Sequence, residues 1–146
     1  MAVDVITEIV IRRPRAEVAA FAGRPDNAPQ WYVNIESMEW KTSPPMRVGS
    51  QVSFVAHFLG RRLVYTYEIV EMVAGERLVM RTLAGPFAME TSYIWKSVTE
   101  GSTRMILRNR GNPTGFGKLV APFMTATMRK ANEKDLARLK SILESS

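Results

Sequence analysis

The only histidine in the chain, His57, is the first candidate for acid–base chemistry, because imidazole titrates close to neutral pH. Apolar and polar residues alternate around it, which predicts a β-strand, and Gly60-Arg61 predicts a tight hairpin turn after that strand. Such a hairpin points Tyr65 and Tyr67 to one face of the sheet and His57 to the other, although a register shifted by one residue would exchange the faces. We therefore predict a surface position for His57. The predicted pairs are Phe58 with Leu63, Ala56 with Tyr65, and Phe54 with Tyr67.

The sequence gives little support for a metal site, a catalytic nucleophile or a phosphate-binding loop. One histidine and no cysteine leave only carboxylates as metal ligands, and no carboxylates cluster at ligand spacing. There is no nucleophile-elbow motif, and the glycine-rich stretch Gly111–Gly117 lacks the Gly-Lys-Ser/Thr ending of a phosphate-binding loop. We predict no metal site and no cofactor. We interpret Gly111–Gly117 as a loop that leads into the last helix and could gate a cavity.

Side chains with an apolar body and a polar tip gather on one face of the predicted sheet. A tyrosine hydroxyl or an asparagine amide can orient the polar group of a mostly apolar ligand, and methionine suits adaptable apolar pockets. None of these residues is an obvious base, so they favour binding over catalysis; the alternative is that they simply fill a core. The polar-tipped residues are Tyr65, Tyr67, Tyr93, Trp95 and Asn109, and the methionines are Met80, Met89, Met105, Met124 and Met128.

The composition limits the class of protein. With 146 residues, 46% of them apolar, the chain is predicted to form one domain, residues 1–146, with a real core. The net charge of +6 comes from scattered basic residues, whereas a nucleic-acid site needs them gathered beside stacking aromatic rings. No apolar run approaches the roughly 18 residues of a membrane span, and the N-terminus lacks a signal-peptide pattern. We expect a cytoplasmic protein that binds no nucleic acid.

The predicted elements are a strand, a short helix, about six further strands and one long helix. Alternating β-branched residues predict the first strand at residues 3–12, with the odd-numbered side chains on one face. Pro14 begins a helix that ends at Gly23, and Asp26 could cap a second short helix. The other strands are predicted near residues 34–42, 49–59, 77–83, 87–98 and 103–110, with one more after the Gly60-Arg61 turn.

The turn between the last two strands has two plausible lengths. We prefer a five-residue loop, Val98–Ser102, to a four-residue one, because it separates apolar from charged residues more cleanly. The five-residue loop pairs Trp95 with Met105 and Tyr93 with Leu107. It also places three basic side chains together on the solvent face, namely Arg104, Arg108 and Arg110.

The closing helix is predicted from about Phe116 to Glu144, a length of about 43 Å. Pro122 should kink it or end a separate first turn. We expect a cavity to open near Pro122, beside Phe123 and Met124. From Met128 onward the helix carries a regular stripe formed by Asn132, Leu136, Leu139 and Leu143.

Short motifs follow one another in a characteristic order along nearly the whole chain: Pro14 with Val18 and Phe21, Pro29-Gln30-Trp31, Val48-Gly49-Ser50, Glu71 before Arg77-Leu78, Gly101-Ser102-Thr103-Arg104, and a last helix with Leu136, Leu139-Lys140 and Leu143-Glu144. Together they resemble the START/Bet v1-like (SRPBCC) superfamily and, within it, the bacterial polyketide cyclase/dehydrase-like proteins. The resemblance implies an α+β helix-grip fold, in which a curved seven-stranded antiparallel sheet surrounds a long C-terminal helix. It also implies two short helices after the first strand and a hydrophobic cavity between sheet and helix.

The motifs are structural, so they do not choose among the lipid carriers, hormone receptors, quinone-binding proteins, cyclases and chaperone co-factors of that superfamily. We predict a protein that binds a hydrophobic small molecule, such as a lipid, quinone, polyketide or aromatic metabolite, in the cavity. Two alternatives stay open: a cyclase/dehydrase-type enzyme that uses the same cavity, without an assigned catalytic residue, and a protein-interaction module. At most transient membrane contact is expected, and a homodimer is left open. The predicted ligand-binding residues are Tyr65, Tyr67, Met80, Met89, Tyr93, Trp95, Leu107, Asn109, Phe123, Met124 and Met128.

Overall fold

Seven antiparallel strands and a long C-terminal helix dominate the structure, a computed structural model that describes residues 3–58, 60–85, 88–112 and 121–145. The helices are α1 (Arg15–Ala22), α2 (Ala28–Trp31) and α3 (Ala121–Glu144), with a 3₁₀ turn at Pro25–Asn27 before α2. The strands are β1 (Val3–Ile11), β2 (Ile35–Trp40), β3 (Gln51–Phe58), β4 (Arg61–Val73), β5 (Arg77–Ala84), β6 (Ala88–Thr99) and β7 (Ser102–Asn112).

The strands form one sheet in the order β1-β7-β6-β5-β4-β3-β2. Strands β2 to β7 are therefore a continuous meander, and β1 pairs with β7 at the far edge. The sheet curls around α3, which contacts β1 and α2. This arrangement confirms the predicted α+β helix-grip fold with short helices after the first strand.

The alternation predicted for β1 matches the burial of its side chains. Val3, Val5 and Ile11 are almost fully buried, whereas Asp4 and Glu8 lie on the outer face. The outer carboxylates meet the arginines of β7: Asp4 pairs with Arg108 at 2.6 Å and Glu8 with Arg104 at 3.7 Å. The third arginine of this face, Arg110, pairs with Glu90 at 2.8 Å.

The hairpin between β6 and β7 has the predicted register, but its connection is Glu100-Gly101 rather than the predicted five residues, because a bulge between Ser97 and Thr99 lets Thr99 pair with Ser102. Trp95 pairs with Met105 and Tyr93 with Leu107, and all four side chains are buried. The cause is the one on which the prediction was based: this register places every apolar member of these pairs inside and the arginines outside.

The hairpin between β3 and β4 differs from the prediction. Phe58 pairs with Arg61 rather than Leu63, Ala56 with Leu63 rather than Tyr65, and Phe54 with Tyr65 rather than Tyr67. The turn lies one residue earlier than predicted, and Gly60 lies inside it with φ +73°, a conformation that glycine takes without steric cost. A one-residue move of the turn shifts the pairing by two residues, so both faces of the hairpin keep their predicted side chains.

The region of the short helices needs one correction. Asp26 was predicted to cap the second helix, but no side chain caps it. The Asp26 carboxylate instead accepts hydrogen bonds from Trp40 Nε1 at 3.0 Å and Arg24 Nε at 3.1 Å, and these bonds hold its pKa below the usual range. They tie the 3₁₀ turn to β2. Trp31, at the end of α2, is fully buried.

The two halves of α3 pack into different clusters. Leu136, Leu139 and Leu143 join the main core with Trp31, whereas the earlier turns pack on β1, β4 and β6 through Met124 and Met128. No helix in the described part of the chain is both long and apolar enough to cross a membrane.

The predicted loop Gly111–Gly117 is corrected at its start. Gly111 and Asn112 are the last residues of β7, where they pair with Met89 and Ala88 of β6. The rest of that loop, the predicted start of the helix at residues 116–120 and the gate lie outside the described residues. The predicted kink at Pro122, the second described residue of α3, depends on them too.

Candidate ligand-binding site

A hollow of about 140 Å³ lies between α3 and the inner face of the sheet. Strands β3 and β4 line it with Phe54, Leu63, Tyr65 and Tyr67, and the segment after α2 adds Tyr32. One face of α3 completes the wall. The residues of that face are Met128, Ala131, Asn132 and Asp135.

The structure brings together five of the eleven predicted ligand-binding residues at the wall of this hollow. They are Tyr65, Tyr67, Met89, Asn109 and Met128. Four others, Met80, Tyr93, Trp95 and Leu107, are buried in the adjoining core, and Met124 packs beside Met128 without lining the hollow. Phe123 is 61% exposed and does not line the hollow.

Tyrosine hydroxyls supply neutral polar groups to this region. Tyr32 and Tyr93 share a hydrogen bond of 2.5 Å between their hydroxyl oxygens. Burial raises the pKa of Tyr67 to about 12, and burial likewise raises the pKa values of Tyr32, Tyr65 and Tyr93. The four phenols therefore keep their protons throughout the physiological range and act as hydrogen-bond groups rather than as bases.

A second polar pair lies on β6 and β7. The Thr91 hydroxyl donates a hydrogen bond of 2.6 Å to Asn109 Oδ1, and both residues are buried. This bond fixes the orientation of the Asn109 amide, so that its nitrogen is presented to other partners as a donor while its oxygen keeps a second lone pair. The pair holds one amide donor at a fixed position on the wall of the hollow.

The wall of the hollow also carries the carboxyl group of Asp135, a residue that is only 3% exposed. Its Oδ1 accepts a hydrogen bond of 2.8 Å from the backbone N–H of Val33. Burial raises the pKa of Asp135 to about 7, against the opposing effects of the Val33 bond and the charge of Arg138. A carboxyl of this kind exchanges its proton near neutral pH, as acid–base chemistry requires.

Asn132 lies one turn before Asp135 and is 4% exposed. Its Nδ2 is fully buried and finds no acceptor among the described residues. An unpaired buried amide donor costs folding free energy of about 1–3 kcal/mol. Such a group at the wall of a hollow is a candidate ligand contact.

Tyr32, Asn132 and Asp135 are the site residues with possible chemical roles that sequence reasoning missed, beside apolar wall residues such as Phe54 and Leu63. The stripe of the last helix includes Asn132, and Asp135 lies three residues further on, so the two side chains share one helix face. The available signal was two polar residues on an otherwise apolar face. Tyr32 left no comparable signal, because one aromatic residue after a short helix has no periodicity.

His57 has the predicted orientation. Its side chain is exposed and its Nε2 lies 2.8 Å from the Glu36 carboxylate across the β2–β3 pair. The residue borders the outer rim of the hollow. In the described ranges, no group of three or more histidine, aspartate or glutamate side chains could hold a metal ion.

A wider groove of about 1270 Å³ lies on the other side of α1, between that helix and the turns at residues 41–50 and 74–76. Two of its arginines already have partners: Arg15 meets Glu76 at 3.8 Å and Arg77 meets Glu71 at 3.0 Å. Its other charged lining residues, Arg24 and Asp26, pair with each other at 3.1 Å, and Trp95 Nε1 is the one buried donor at its wall that finds no acceptor among the described residues. We therefore place the candidate site in the smaller space, where buried polar groups and apolar walls occur together.

The fold matches solved structures along almost their whole lengths. The protein TTHA0849 from Thermus thermophilus superposes with a TM-score of 0.82 and 21% sequence identity, over 98% of this chain and 99% of that one. A START superfamily protein from Mycobacterium smegmatis gives 0.81 and 13%, over 97% of both chains. The Zhui aromatase/cyclase from a Streptomyces species gives 0.78 and 12%, over 97% of this chain and 93% of that one. At these identities the likeness concerns the fold alone.

The sequence itself identifies the family. No curated protein sequence gives a significant match. The family model described as polyketide cyclase/dehydrase and lipid transport matches residues 2–144, which is nearly the entire chain. The match agrees with the helix-grip fold and with the short motifs of the sequence. The chain therefore belongs to the polyketide cyclase/dehydrase and lipid transport family.

Proposed function

We propose that the protein binds a hydrophobic molecule of about one ring in size in the hollow between α3 and the sheet. The observation that carries the proposal is the combination of apolar walls with polar groups that converge on one space: the Tyr32 hydroxyl and the buried side chains of Asn109, Asn132 and Asp135. Small-molecule sites have this composition, in which apolar contacts supply affinity and a few polar groups fix orientation.

The volume of the hollow narrows the ligand class. Sites for drug-sized ligands occupy about 300–1,000 Å³, whereas an apolar cavity of about 150 Å³ takes up benzene. The 140 Å³ between α3 and the sheet thus favours a single-ring aromatic or quinone-like metabolite. A lipid with long acyl chains would extend beyond this hollow.

A substitution that fills the hollow tests this proposal. Ala131 lines the hollow from α3, and we expect Ala131→Leu to weaken binding of ethylbenzene or acetophenone at least tenfold, because the added carbons occupy the ligand's space. Binding is measured by titration with NMR detection of the tyrosine and methionine signals. The matched control is Ala137→Leu, on the exposed face of the same helix, which should bind like the wild type. Equal affinity in all three proteins would place any binding elsewhere, and no uptake by the wild type would reject the proposal.

A second candidate function is an enzyme of the cyclase/dehydrase type, and Asp135 is the observation that favours it. A carboxylate with a pKa of about 7 can take a proton from the carbon next to a ligand carbonyl, leaving an enolate, and can return a proton to an adjacent hydroxyl that departs as water. The tyrosine hydroxyls would stabilise the negative charge on the enolate oxygen.

Deuterium exchange measures the first step of that chemistry alone. In D₂O near neutral pD, we expect the wild type to speed the exchange of the acetophenone methyl hydrogens, and Asp135→Asn to lose about 100-fold or more of that acceleration. The exchange is followed by loss of the methyl signal in proton NMR. If the wild type and Asp135→Asn proteins exchange these hydrogens at the same rate, the enzyme hypothesis is rejected while binding is unaffected.

A further inference from the structure

We propose that the ligand carries a carbonyl oxygen, that this oxygen accepts hydrogen bonds from the Asn132 amide and the protonated Asp135 carboxyl, and that binding therefore takes up a proton. The inference rests on the proposed ligand-binding function and adds to it the functional group of the ligand and its pH dependence.

The first support is the buried amide of Asn132. The residue is 4% exposed, lines the hollow, and its Nδ2 has no acceptor among the described residues. A ligand oxygen placed in the hollow would accept from this donor and remove the cost of leaving it unpaired. A hydrocarbon ligand would leave that cost in place.

The second support is the position of Asp135. It lies three residues after Asn132 on α3, so both side chains face the same space. Its Oδ1 already accepts the Val33 N–H at 2.8 Å, which leaves the other oxygen to carry the proton. In its neutral form the carboxyl is a second donor beside the Asn132 amide.

The balance of donors and acceptors selects a carbonyl over a hydroxyl. The Asn132 amide and the neutral Asp135 carboxyl place two donors at one part of the wall. A carbonyl oxygen accepts two hydrogen bonds and donates none, so it can pair with both donors at once. A hydroxyl group also carries a hydrogen, which would need an acceptor of its own.

The other ionisable groups around Asp135 do not supply the same pH dependence. Burial keeps Tyr32, Tyr67 and Tyr93 neutral, and the positive charge of Arg138 on α3 favours the ionised carboxyl. From β3, His57 borders the rim, where it pairs with Glu36. The Asp135→Asn variant distinguishes the effect of the carboxyl on binding from any effect of His57, because it removes the carboxyl and leaves the histidine in place.

Three probes of one skeleton test the proposal: acetophenone with a carbonyl, 1-phenylethanol with a hydroxyl, and ethylbenzene with neither. For the wild type, we expect acetophenone affinity to fall about tenfold between pH 6 and pH 8, as the protonated fraction of Asp135 decreases. Ethylbenzene affinity should not change over that range, and 1-phenylethanol should gain affinity relative to acetophenone, since the ionised carboxyl accepts its hydroxyl hydrogen. Dissociation constants come from NMR titrations at each pH.

Two variants assign the effect to its residues. Asp135→Asn should bind acetophenone with the same affinity at pH 6 and pH 8, and Asn132→Leu should reduce the preference for acetophenone over ethylbenzene while it keeps the pH dependence. A pH dependence that persists in Asp135→Asn, or equal pH profiles for the three probes, would overturn this inference and leave the binding function intact. If none of the probes binds, the proposed function itself fails.

Discussion

Replacing Asp135 with asparagine is expected to raise the free energy of unfolding at pH 8 by up to about 4 kcal/mol, the equivalent of a pKa raised from 3.8 to about 7. The asparagine oxygen still accepts the Val33 N–H, so the local hydrogen bond is retained. The substitution removes the free-energy cost of ionising the Asp135 carboxyl, which is only 3% exposed.

The sign of the effect follows from the protons bound in each state. Between about pH 4 and pH 7 the folded protein keeps the Asp135 proton that the unfolded chain has released, so stability falls as the pH rises and levels off above pH 7. In Asp135→Asn this decline is absent. Urea denaturation of both proteins at pH 5, 6, 7 and 8 measures the difference.

Asp4→Asn is the matched control for that experiment. Asp4 is exposed, and its hydrogen bond with Arg108 lowers its pKa, so its contribution has the opposite sign: it is present above pH 4 and lost as the pH falls. The Asp4 variant should be slightly less stable than the wild type at neutral pH. A gain in stability from both substitutions would indicate a general charge effect, and no gain from Asp135→Asn would show that the carboxyl is not penalised by burial.

A carboxyl that lowers stability at neutral pH calls for a functional explanation. Replacing Asp135 by an uncharged residue of similar shape would remove the cost, and the unpaired Asn132 amide adds a second cost beside it. Two such groups on one helix face, at the wall of the same hollow, are the pattern expected where stability is given up for binding or catalysis. For this reason we place the candidate site on α3 rather than on His57.

The sequence predicted the fold well because its apolar and polar residues fall on opposite faces of the predicted strands. The β6–β7 register followed from that sorting, since it puts Trp95 and Tyr93 on the face opposite the arginines. The β3–β4 register was missed by two residues because either position of a two-residue loop around Gly60 gives the same sorting of faces. The alternation of apolar and polar residues determines which face of the sheet a side chain occupies, but it does not determine where a turn begins.

The site was harder to predict than the fold, because it depends on how deeply each side chain is buried and not only on which face of an element the side chain occupies. Phe123 and Met124 are neighbours in sequence, yet Met124 is fully buried and Phe123 is 61% exposed, since successive residues of a helix point about 100° apart. Asp135 lies beside Leu136 on the inner face, and a charged residue next to a leucine stripe usually marks the edge of that stripe. Only the packing of α3 against Val33 and Tyr32 shows that this carboxyl is inside.

The packing of α3 leads to the second large effect, which we expect from Leu139→Ala. Leu139 is fully buried in the cluster that contains Leu136, Leu143 and Trp31. Removing its side chain should lower the free energy of unfolding by about 3–5 kcal/mol, through lost apolar burial and the cavity left behind. Urea denaturation at pH 5, where Asp135 is protonated in the folded state, measures this loss without the carboxyl effect.

The comparison with Met128→Ala shows whether the two halves of α3 have separate roles. Met128 is buried but borders the hollow, so part of its surface already faces empty space and its removal should cost only about 2 kcal/mol, the low end for such substitutions. The same change enlarges the hollow, so Met128→Ala should gain affinity for ligands larger than one ring, whereas Leu139→Ala should leave their binding unchanged. Equal losses of stability with no change in ligand size would mean that α3 packs uniformly, and the division into an anchoring half and a ligand-facing half would have to be abandoned.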